Sequence, residues 1–308
     1  MVPCVWGPAD VERPLVLDLT RLLPGPLAGR ILCDLGYRVH RLVPPGGDLM
    51  EGHAPETFAW LHAGKTGETL DLKAAAGRRR LLQLVREARV LLDSNRPGVM
   101  ERLGVGPEEL RAVNPALSYV RIAGHSAAAF RQNPGHDLTY LAAAGLLGRF
   151  ESAWPQVQLA DSAGAMWAAL AAQQGILQGG GFFEVQLERA PRVFAYPAVP
   201  GLGGNLVCYA VYGAKQGRVA LAALEPHLWR RCCEALGHAE WASENYGPAS
   251  AVNDVYRELQ AIFMQRTAAE WDEFARIGAL PLRAIHPEAV ADPEDTIVPW
   301  VQESGVNS

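Results

Sequence analysis

Short apolar segments alternate with longer amphipathic segments over the first two thirds of the chain, and this alternation constrains the fold more than any other feature. The apolar segments typical of strands are Leu15–Leu19, Val39–Val43, Val90–Asp93, Leu117–Ile122 and Phe183–Leu187. Helical patterns lie between them at Leu27–Leu35, Ala74–Ala88, Glu108–Val113, Asp137–Leu147 and Ser162–Leu177. Strands separated by helices favour a parallel sheet with right-handed crossovers, so we predict a Rossmann-like α/β fold.

The pattern changes after Pro191, where prolines and glycines crowd a short stretch up to Gly204. Beyond it, two strand patterns form a predicted hairpin, and three helical patterns and a final strand follow. These segments are Leu206–Tyr212, Arg218–Ala223, His227–Leu236, Val252–Gln265, Ala268–Arg276 and Pro281–Ile285. We therefore predict a large α/β domain over residues 1–195, a smaller α+β domain over 196–290 and a short tail over 291–308.

Charge and composition exclude several classes of partner. The chain of 308 residues carries 28 basic and 33 acidic side chains, a formal net charge of −5, which argues against a nucleic-acid-binding surface. Its most apolar segments are too short to cross a membrane, and the N-terminus does not resemble a secretory signal. The five cysteines show neither paired spacing nor a metal-ligand pattern. We expect a cytoplasmic protein with reduced thiols and no metal site.

Three residues are candidates for chemistry, and each also has a simpler structural interpretation. Asp161 stands before a small-residue helix, where its position alone favours an N-cap, an interpretation compatible with a role as an anionic reactive group. His136 lies at a predicted loop–helix junction, and histidine is the side chain best suited to carry protons near neutral pH. Glu225 ends an apolar strand just before Pro226, as either a cap or a partly buried carboxylate.

The basic residues are scattered, and we place Arg41, Lys65 and Arg96 at strand ends or turns, where side chains reach ligands over a sheet edge. The sequence contains no GxGxxG, P-loop, HExxH or GxSxG motif. Dinucleotide, ATP, zinc-protease and serine-hydrolase functions are therefore unsupported.

Several motifs, in their order along the chain, resemble the family III CoA-transferases (the CaiB/BaiF family), and the pattern is nearest to the racemase branch. They are VLDLTRLLPGPLAGRILCDLGYRVHRLVPPGGD, GKTGETLDLK, VLLDSNRPGVMERLGVGPEEL, GHDLTYLAAAG, LADSAGAMWAALA and ALAALEPHLWRRCCEALG. The resemblance covers most of residues 14–295. It implies that Asp161 is the family's catalytic aspartate, that His136 is the second proton carrier of the GHD form, and that Glu225 supports the histidine.

The same resemblance implies contacts with coenzyme A, which would be part of the substrate and not a permanently bound cofactor. The matching positions are Arg41, Lys65, Arg96, Asp137 and Tyr140. It further implies a homodimer of interlocked chains. A racemase would move the α-proton of a 2-methylacyl-CoA between His136 and Asp161. A transferase would instead use Asp161 as a nucleophile that forms an acyl anhydride.

Two departures from the family pattern bear on this interpretation. The glycine-rich loop before GHD reads AGHSAAAFRQNPG over Ala123–Gly135, and the tail is short. A non-catalytic homologue that binds CoA therefore stays a third possibility, although retention of His136, Asp161 and Glu225 together argues against it.

Overall fold

The computed structural model describes residues 13–150, 156–197, 201–285 and 297–299. The chain divides into two compact units. The first comprises Met1–Tyr196 and Ala291–Ser308, and the second is Pro197–Val290. After the second unit the chain returns to the first, where the Ile297 N–H donates to Asp34 Oδ2 at 2.8 Å.

A six-stranded parallel sheet forms the centre of the first unit. Its strands are β1 (Leu15–Leu19), β2 (Arg38–Val43), β3 (Thr66–Thr69), β4 (Ala88–Asp93), β5 (Ser118–Ala123) and β6 (Gly181–Gln186). They lie in the order β3-β2-β1-β4-β5-β6, and each neighbouring pair is parallel. The predicted Rossmann-like sheet is confirmed. The order reverses between β1 and β4, and ligands of such sheets bind at the carboxyl ends of the strands near this point.

Helices cover both faces of the sheet, which explains why the central strands β1 and β4 are mostly apolar. They are α1 (Pro24–Asp34), α2 (Leu49–His53), α3 (Pro55–His62), α4 (Ala75–Val85), α5 (Val99–Arg102), α6 (Pro107–Val113), α7 (Asp137–Ala143) and α8 (Leu159–Leu177). Successive residues of β1 enter opposite cores: Val16 packs with Leu32 of α1, and Leu17 packs in the cluster that contains Leu81 of α4. All six residues of β5 are buried.

The structure differs from the sequence prediction at several boundaries. The edge strand β3 begins at Thr66 and was missed, because its short polar sequence TGET lacks the apolar pattern of a strand. Helix α7 ends at Ala143, before Gly145 with its φ of +74°, and not at Leu147. Helix α8 begins at Leu159, three residues before the predicted start. This last difference changes the position of Asp161.

The second unit contains a three-stranded antiparallel sheet with helices packed against it. The strands are β7 (Tyr209–Gly213), β8 (Arg218–Ala222) and β9 (Leu282–Ile285), and the helices are α9 (Pro226–Leu236), α10 (Asp254–Phe263) and α11 (Ala268–Gly278). Its core includes Tyr212, Trp229 and Phe263, and the Trp229 indole N–H donates to the Trp241 carbonyl at 2.8 Å. The predicted α+β arrangement and the hairpin of β7 and β8 are confirmed.

Candidate active site

A cavity of about 590 Å³ opens at the carboxyl edge of the parallel sheet. Residues that follow β1, β2, β4, β5 and β6 line it, as the strand order leads one to expect. Four of the predicted site residues share its walls, namely Arg96, His136, Tyr140 and Asp161. A second cavity, of about 470 Å³, adjoins the first and shares Arg21, Pro44, Gly46 and Asn95 with it.

Asp161 is the third residue of α8 and not its N-cap, so the structural interpretation offered for it is wrong. The residue before the helix is Gln158, which makes no side-chain cap. Asp137, the first residue of α7, partly caps the start of α8 instead, because its Oδ1 accepts the Asp161 backbone N–H at 2.9 Å. Two acidic residues are thereby held side by side at the start of α8. Only the tertiary contact between α7 and α8 brings them together.

Burial raises the pKa of Asp161 to about 7, and the neighbouring Asp137 carboxylate contributes to the same shift. Both effects disfavour the charged form. A carboxyl group with a pKa near neutrality gives and takes a proton with comparable ease, which is what general acid–base catalysis requires.

This geometry leads to a prediction about Asp137. Asp137→Asn retains an amide oxygen for the Asp161 N–H but removes the neighbouring negative charge. We expect the pKa of Asp161 to fall, while staying above that of an exposed aspartate because burial is the larger cause. An NMR titration of the Asp161 carboxyl carbon measures this. An unchanged pKa in Asp137→Asn would contradict the electrostatic coupling.

His136 immediately precedes α7, at the predicted loop–helix junction. Its backbone N–H donates to Thr139 Oγ1 at 3.1 Å, and the Thr139 hydroxyl donates to the His136 carbonyl at 2.7 Å. These two bonds fix the backbone of His136 without using its ring. The imidazole is therefore available to the cavity that it lines.

Tyr140 lies one turn along α7 and is 5% exposed. Its ring packs against two glycines of the preceding loop: a Cβ added at Gly124 or Gly135 would lie 2.7 or 2.6 Å from Tyr140 atoms. Burial raises the pKa of Tyr140 to about 12, with the Asp161 and Glu188 carboxylates contributing. The phenol is thus protonated at neutral pH, and it makes no hydrogen bond among the described residues.

Arg96 follows β4 and lines the cavity as an exposed side chain. Arg41 and Lys65 are not among the residues that line either cavity. Lys65 immediately precedes β3, where its buried ammonium pairs with Asp18 at 3.1 Å and donates to the Pro26 carbonyl at 2.7 Å. Arg41 is the fourth of six residues in β2, with its guanidinium 5.0 Å from the Phe58 ring centroid.

Glu225 belongs to the second unit and directly precedes α9. Its side chain is exposed and makes no capping hydrogen bond, although its carbonyl accepts the Leu228 and Trp229 N–H groups at 2.9 and 3.0 Å. The capping interpretation therefore does not account for the carboxylate.

Sequence reasoning missed several polar residues on the cavity walls, among them Arg21, Asn95 and Arg131. Arg21 and Asn95 closely follow β1 and β4, so the rule that ligands bind beyond strand ends was a usable signal. Arg131 lies in the loop after β5, and nothing in the local sequence distinguishes it. It reaches the wall through a two-point pair with Glu184 of β6, at 2.8 and 2.5 Å.

In the described ranges, no group of three His, Cys, Asp or Glu side chains is arranged to hold a metal ion. No helix within them is long and apolar enough to span a membrane.

The fold and the site together define a class: an α/β protein with an aspartate and a histidine on one cavity at the carboxyl edge of a parallel sheet. The model of CoA-transferase family III matches residues 14–179 and 195–297, and the chain belongs to this family. Its homologues include enzymes named as racemases and as CoA-transferases.

Human alpha-methylacyl-CoA racemase is 29% identical over 283 residues, which cover 83% of this chain and 72% of the human protein. The acetyl-CoA:oxalate CoA-transferase of Acetobacter aceti is 27% identical over 308 residues, covering 87% and 78% of the two chains. Among solved structures, the hypothetical protein Rv3272 of Mycobacterium tuberculosis matches with a TM-score of 0.74 and 26% identity. That match covers 90% of this chain and 83% of the Mycobacterium chain.

Proposed function

We propose that the protein catalyses proton transfer at the α-carbon of a 2-methylacyl-CoA, interconverting its two enantiomers. The observation that carries the proposal is that His136 and Asp161 line one cavity and that the pKa of Asp161 is about 7. An aspartate that stayed fully ionised at neutral pH would be a poor proton donor. One shifted to this value serves as acid or base.

The chemistry follows from the thioester. Its α-hydrogen is acidic because the negative charge left by deprotonation delocalises onto the carbonyl oxygen as an enolate. In one direction His136 takes the proton from one face and Asp161 gives a proton to the other. In the reverse direction the two residues exchange roles. The Asp161 N–H is already bonded to Asp137. Stabilisation of the enolate oxygen therefore falls to the positive end of α8 and to the Tyr140 hydroxyl.

Coenzyme A would occupy the two adjoining cavities, with its reactive thioester beside Asp161 and its anionic phosphates beside basic residues. Arg21 and Arg96 line the cavity that holds Asp161, and Lys73 lines the neighbouring one. Arginine suits phosphate because its planar fork makes two hydrogen bonds to one group. Arg41 and Lys65, which the family resemblance suggested, do not line either cavity.

Binding of CoA gives the first test. We expect calorimetry at moderate salt to detect CoA with micromolar affinity, and Arg96→Gln to weaken it about tenfold, as for loss of a charge-assisted contact. Arg111→Gln, on the exposed surface of α6, is the matched control and should bind as the unmodified protein does. Absence of both heat and thermal stabilisation at millimolar CoA would refute CoA binding.

A second candidate function is CoA transfer, which the similarity to the Acetobacter CoA-transferase favours. Here the Asp161 carboxylate attacks the thioester carbonyl carbon, the carbon–sulfur bond breaks and CoA leaves as the thiolate. The thiolate then attacks the aspartyl carbonyl of the resulting anhydride, which releases the donor acid and leaves CoA joined to Asp161 as a thioester. The acceptor carboxylate attacks this thioester and expels the thiolate, which attacks the acceptor carbonyl of the second anhydride to give the new acyl-CoA and free Asp161. A pKa of about 7 leaves roughly half of the Asp161 side chains ionised at pH 7, so the form that attacks the thioester is present in this mechanism too.

We propose further that the protein is a cytoplasmic homodimer whose large domain binds CoA and whose small domain supplies Glu225. Within the described ranges, Cys208, Cys232 and Cys233 are buried thiols outside any disulfide, in keeping with a reducing compartment. Light scattering at micromolar concentration is expected to give twice the mass of one chain. A stable monomer that is fully active would refute the dimer.

A further inference from the structure

Two glutamates at the end of the sheet hold the loop that separates β5 from α7. Glu184 of β6 pairs with Arg131, as described above, and Glu188, two residues beyond β6, binds the start of the loop. Glu188 Oε1 accepts the Ser126 backbone N–H at 2.7 Å and also the Ser126 hydroxyl. Its other oxygen, Oε2, lies 2.9 Å from His125 Nδ1.

The Glu188 carboxylate is ionised in this arrangement. Burial by itself would raise its pKa, but the hydrogen bonds from Ser126 and the neighbouring His125 outweigh this and lower the pKa to about 2. An ionised carboxylate can only accept, so the hydrogen in the contact belongs to His125 Nδ1. The contact therefore sets both the tautomer and the orientation of the imidazole.

His125 in turn contacts Tyr140, a residue of the cavity wall. It is 9% exposed, and its ring contacts the Tyr140 ring edge-on, with centroids 5.3 Å apart and an angle of 64° between the planes. Gly124 and Gly135 both lie close to the hydroxyl end of the Tyr140 ring. Tyr140 lines the cavity with Asp161 and His136, whereas His125 and Glu188 are not among its lining residues.

We propose that His125 and Glu188 are positioning residues that hold the Tyr140 hydroxyl in place for the reacting thioester. Neither residue touches the cavity, so neither takes part in proton transfer directly. The kinetic part of this inference rests on the proposed function, in which Tyr140 donates to the enolate oxygen. The structural part, the orientation of Tyr140, does not depend on it.

The kinetic test is a double-mutant cycle. Glu188→Gln removes the charge at nearly constant shape, and His125→Phe keeps an aromatic ring against Tyr140 but loses the contact with Glu188. We expect each to lower kcat for α-proton exchange about tenfold, as small misplacements of reacting groups do, and to leave KM and CoA affinity within about twofold. In a Tyr140→Phe background, Glu188→Gln should have no further effect. Glu188→Asp should restore part of the rate.

A second measurement needs no substrate. The chain has 8 tyrosines, and in protein labelled with 3-fluorotyrosine the signal of Tyr140 is the one absent from Tyr140→Phe. We expect Glu188→Gln and His125→Phe to shift and broaden that ¹⁹F signal. Glu240→Gln is the matched control. Glu240 pairs with His238 at the same 2.9 Å in the second unit, and its loss should leave the Tyr140 signal unchanged.

The double-mutant cycle and the ¹⁹F measurement can each contradict the positioning role of His125 and Glu188. Purely additive losses of kcat in the cycle, or loss of CoA binding in parallel with kcat, would indicate a structural role and overturn the proposal. An unchanged ¹⁹F signal in Glu188→Gln would overturn it as well, even if the ester chosen for kinetics is not turned over. Failure of the unmodified protein to exchange the α-proton, with a signal that shifts as expected, refutes the proposed function but not the positioning of Tyr140.

Discussion

Replacing Asp161 by asparagine is expected to lower α-proton exchange about a thousandfold for the enantiomer whose α-proton faces Asp161, within the range for loss of a positioned acid or base. The amide keeps the shape of the carboxyl group but neither takes up nor releases a proton near neutral pH. Deuterium uptake at the α-carbon of a 2-methylacyl-CoA in D₂O, without any acceptor acid, measures the effect directly.

The pH dependence of the same reaction follows from the pKa of Asp161, about 7. In the direction that uses Asp161 as base, the residue must be ionised, so its contribution to the rate rises as the pH increases through about 7. In the opposite direction Asp161 is the acid, and its contribution falls over the same range. Asp161→Asn should lose both dependences.

A measurement of the free energy of unfolding distinguishes loss of the Asp161 carboxyl group from damage to the fold. The folded state holds a proton on Asp161 up to about pH 7, whereas an exposed aspartate loses it near pH 4. The folded chain therefore binds more protons in this interval, and the group's contribution to the free energy of unfolding falls as the pH rises. At pH 8, Asp161→Asn should be at least as stable as the unmodified protein.

Asp254→Asn is the matched control, since Asp254 also lies in the first turn of a helix, α10 of the second unit. It should retain full exchange. Loss of activity in Asp254→Asn would contradict the role of Asp161. So would exchange in Asp161→Asn above a hundredth of the original rate for the enantiomer whose α-proton faces Asp161.

The second large effect concerns stereochemistry. His136→Ala is expected to lower deuterium uptake by about a hundredfold for the enantiomer whose α-proton faces His136, and much less for the other. Each proton carrier serves one face of the enolate, so the enantiomer deprotonated by Asp161 still exchanges. His227→Ala, an exposed histidine in the first turn of α9, is the control. Equal losses for both enantiomers would contradict the assignment of one face to each residue.

Hydroxylamine separates this mechanism from CoA transfer. In the transferase mechanism, the anhydride at Asp161 reacts with hydroxylamine to give a hydroxamate, and the enzyme loses activity only when acyl-CoA is present. A proton-carrying aspartate forms no such adduct. Inactivation by hydroxylamine together with an absence of deuterium uptake would replace the racemase proposal with CoA transfer.

The sequence alone determined the architecture of this protein, because apolar periodicity and helix spacing are local properties that a parallel sheet imposes on its strands. Leu15–Leu19 and Val90–Asp93 were predicted to be strands. They correspond to β1 and β4, between which the strand order reverses. The motifs around His136 and Asp161 likewise identified two residues that the structure brings to one cavity. The edge strand β3 was not predicted, because its polar sequence lacks the apolar pattern from which the other strands were recognised.

Tertiary structure alone decided the chemical state of the site. Asp137 and Asp161 are 24 residues apart, and His125 and Glu188 are 63 apart, so no local pattern links either pair. Strand order sets these distances, and burial then shifts the pKa of Asp161 towards neutrality. Lys65 shows the converse case: a lysine at a turn was expected to reach a ligand, but packing placed it inside the protein beside Asp18. Burial depends on what covers a residue, and the covering elements come from distant parts of the chain.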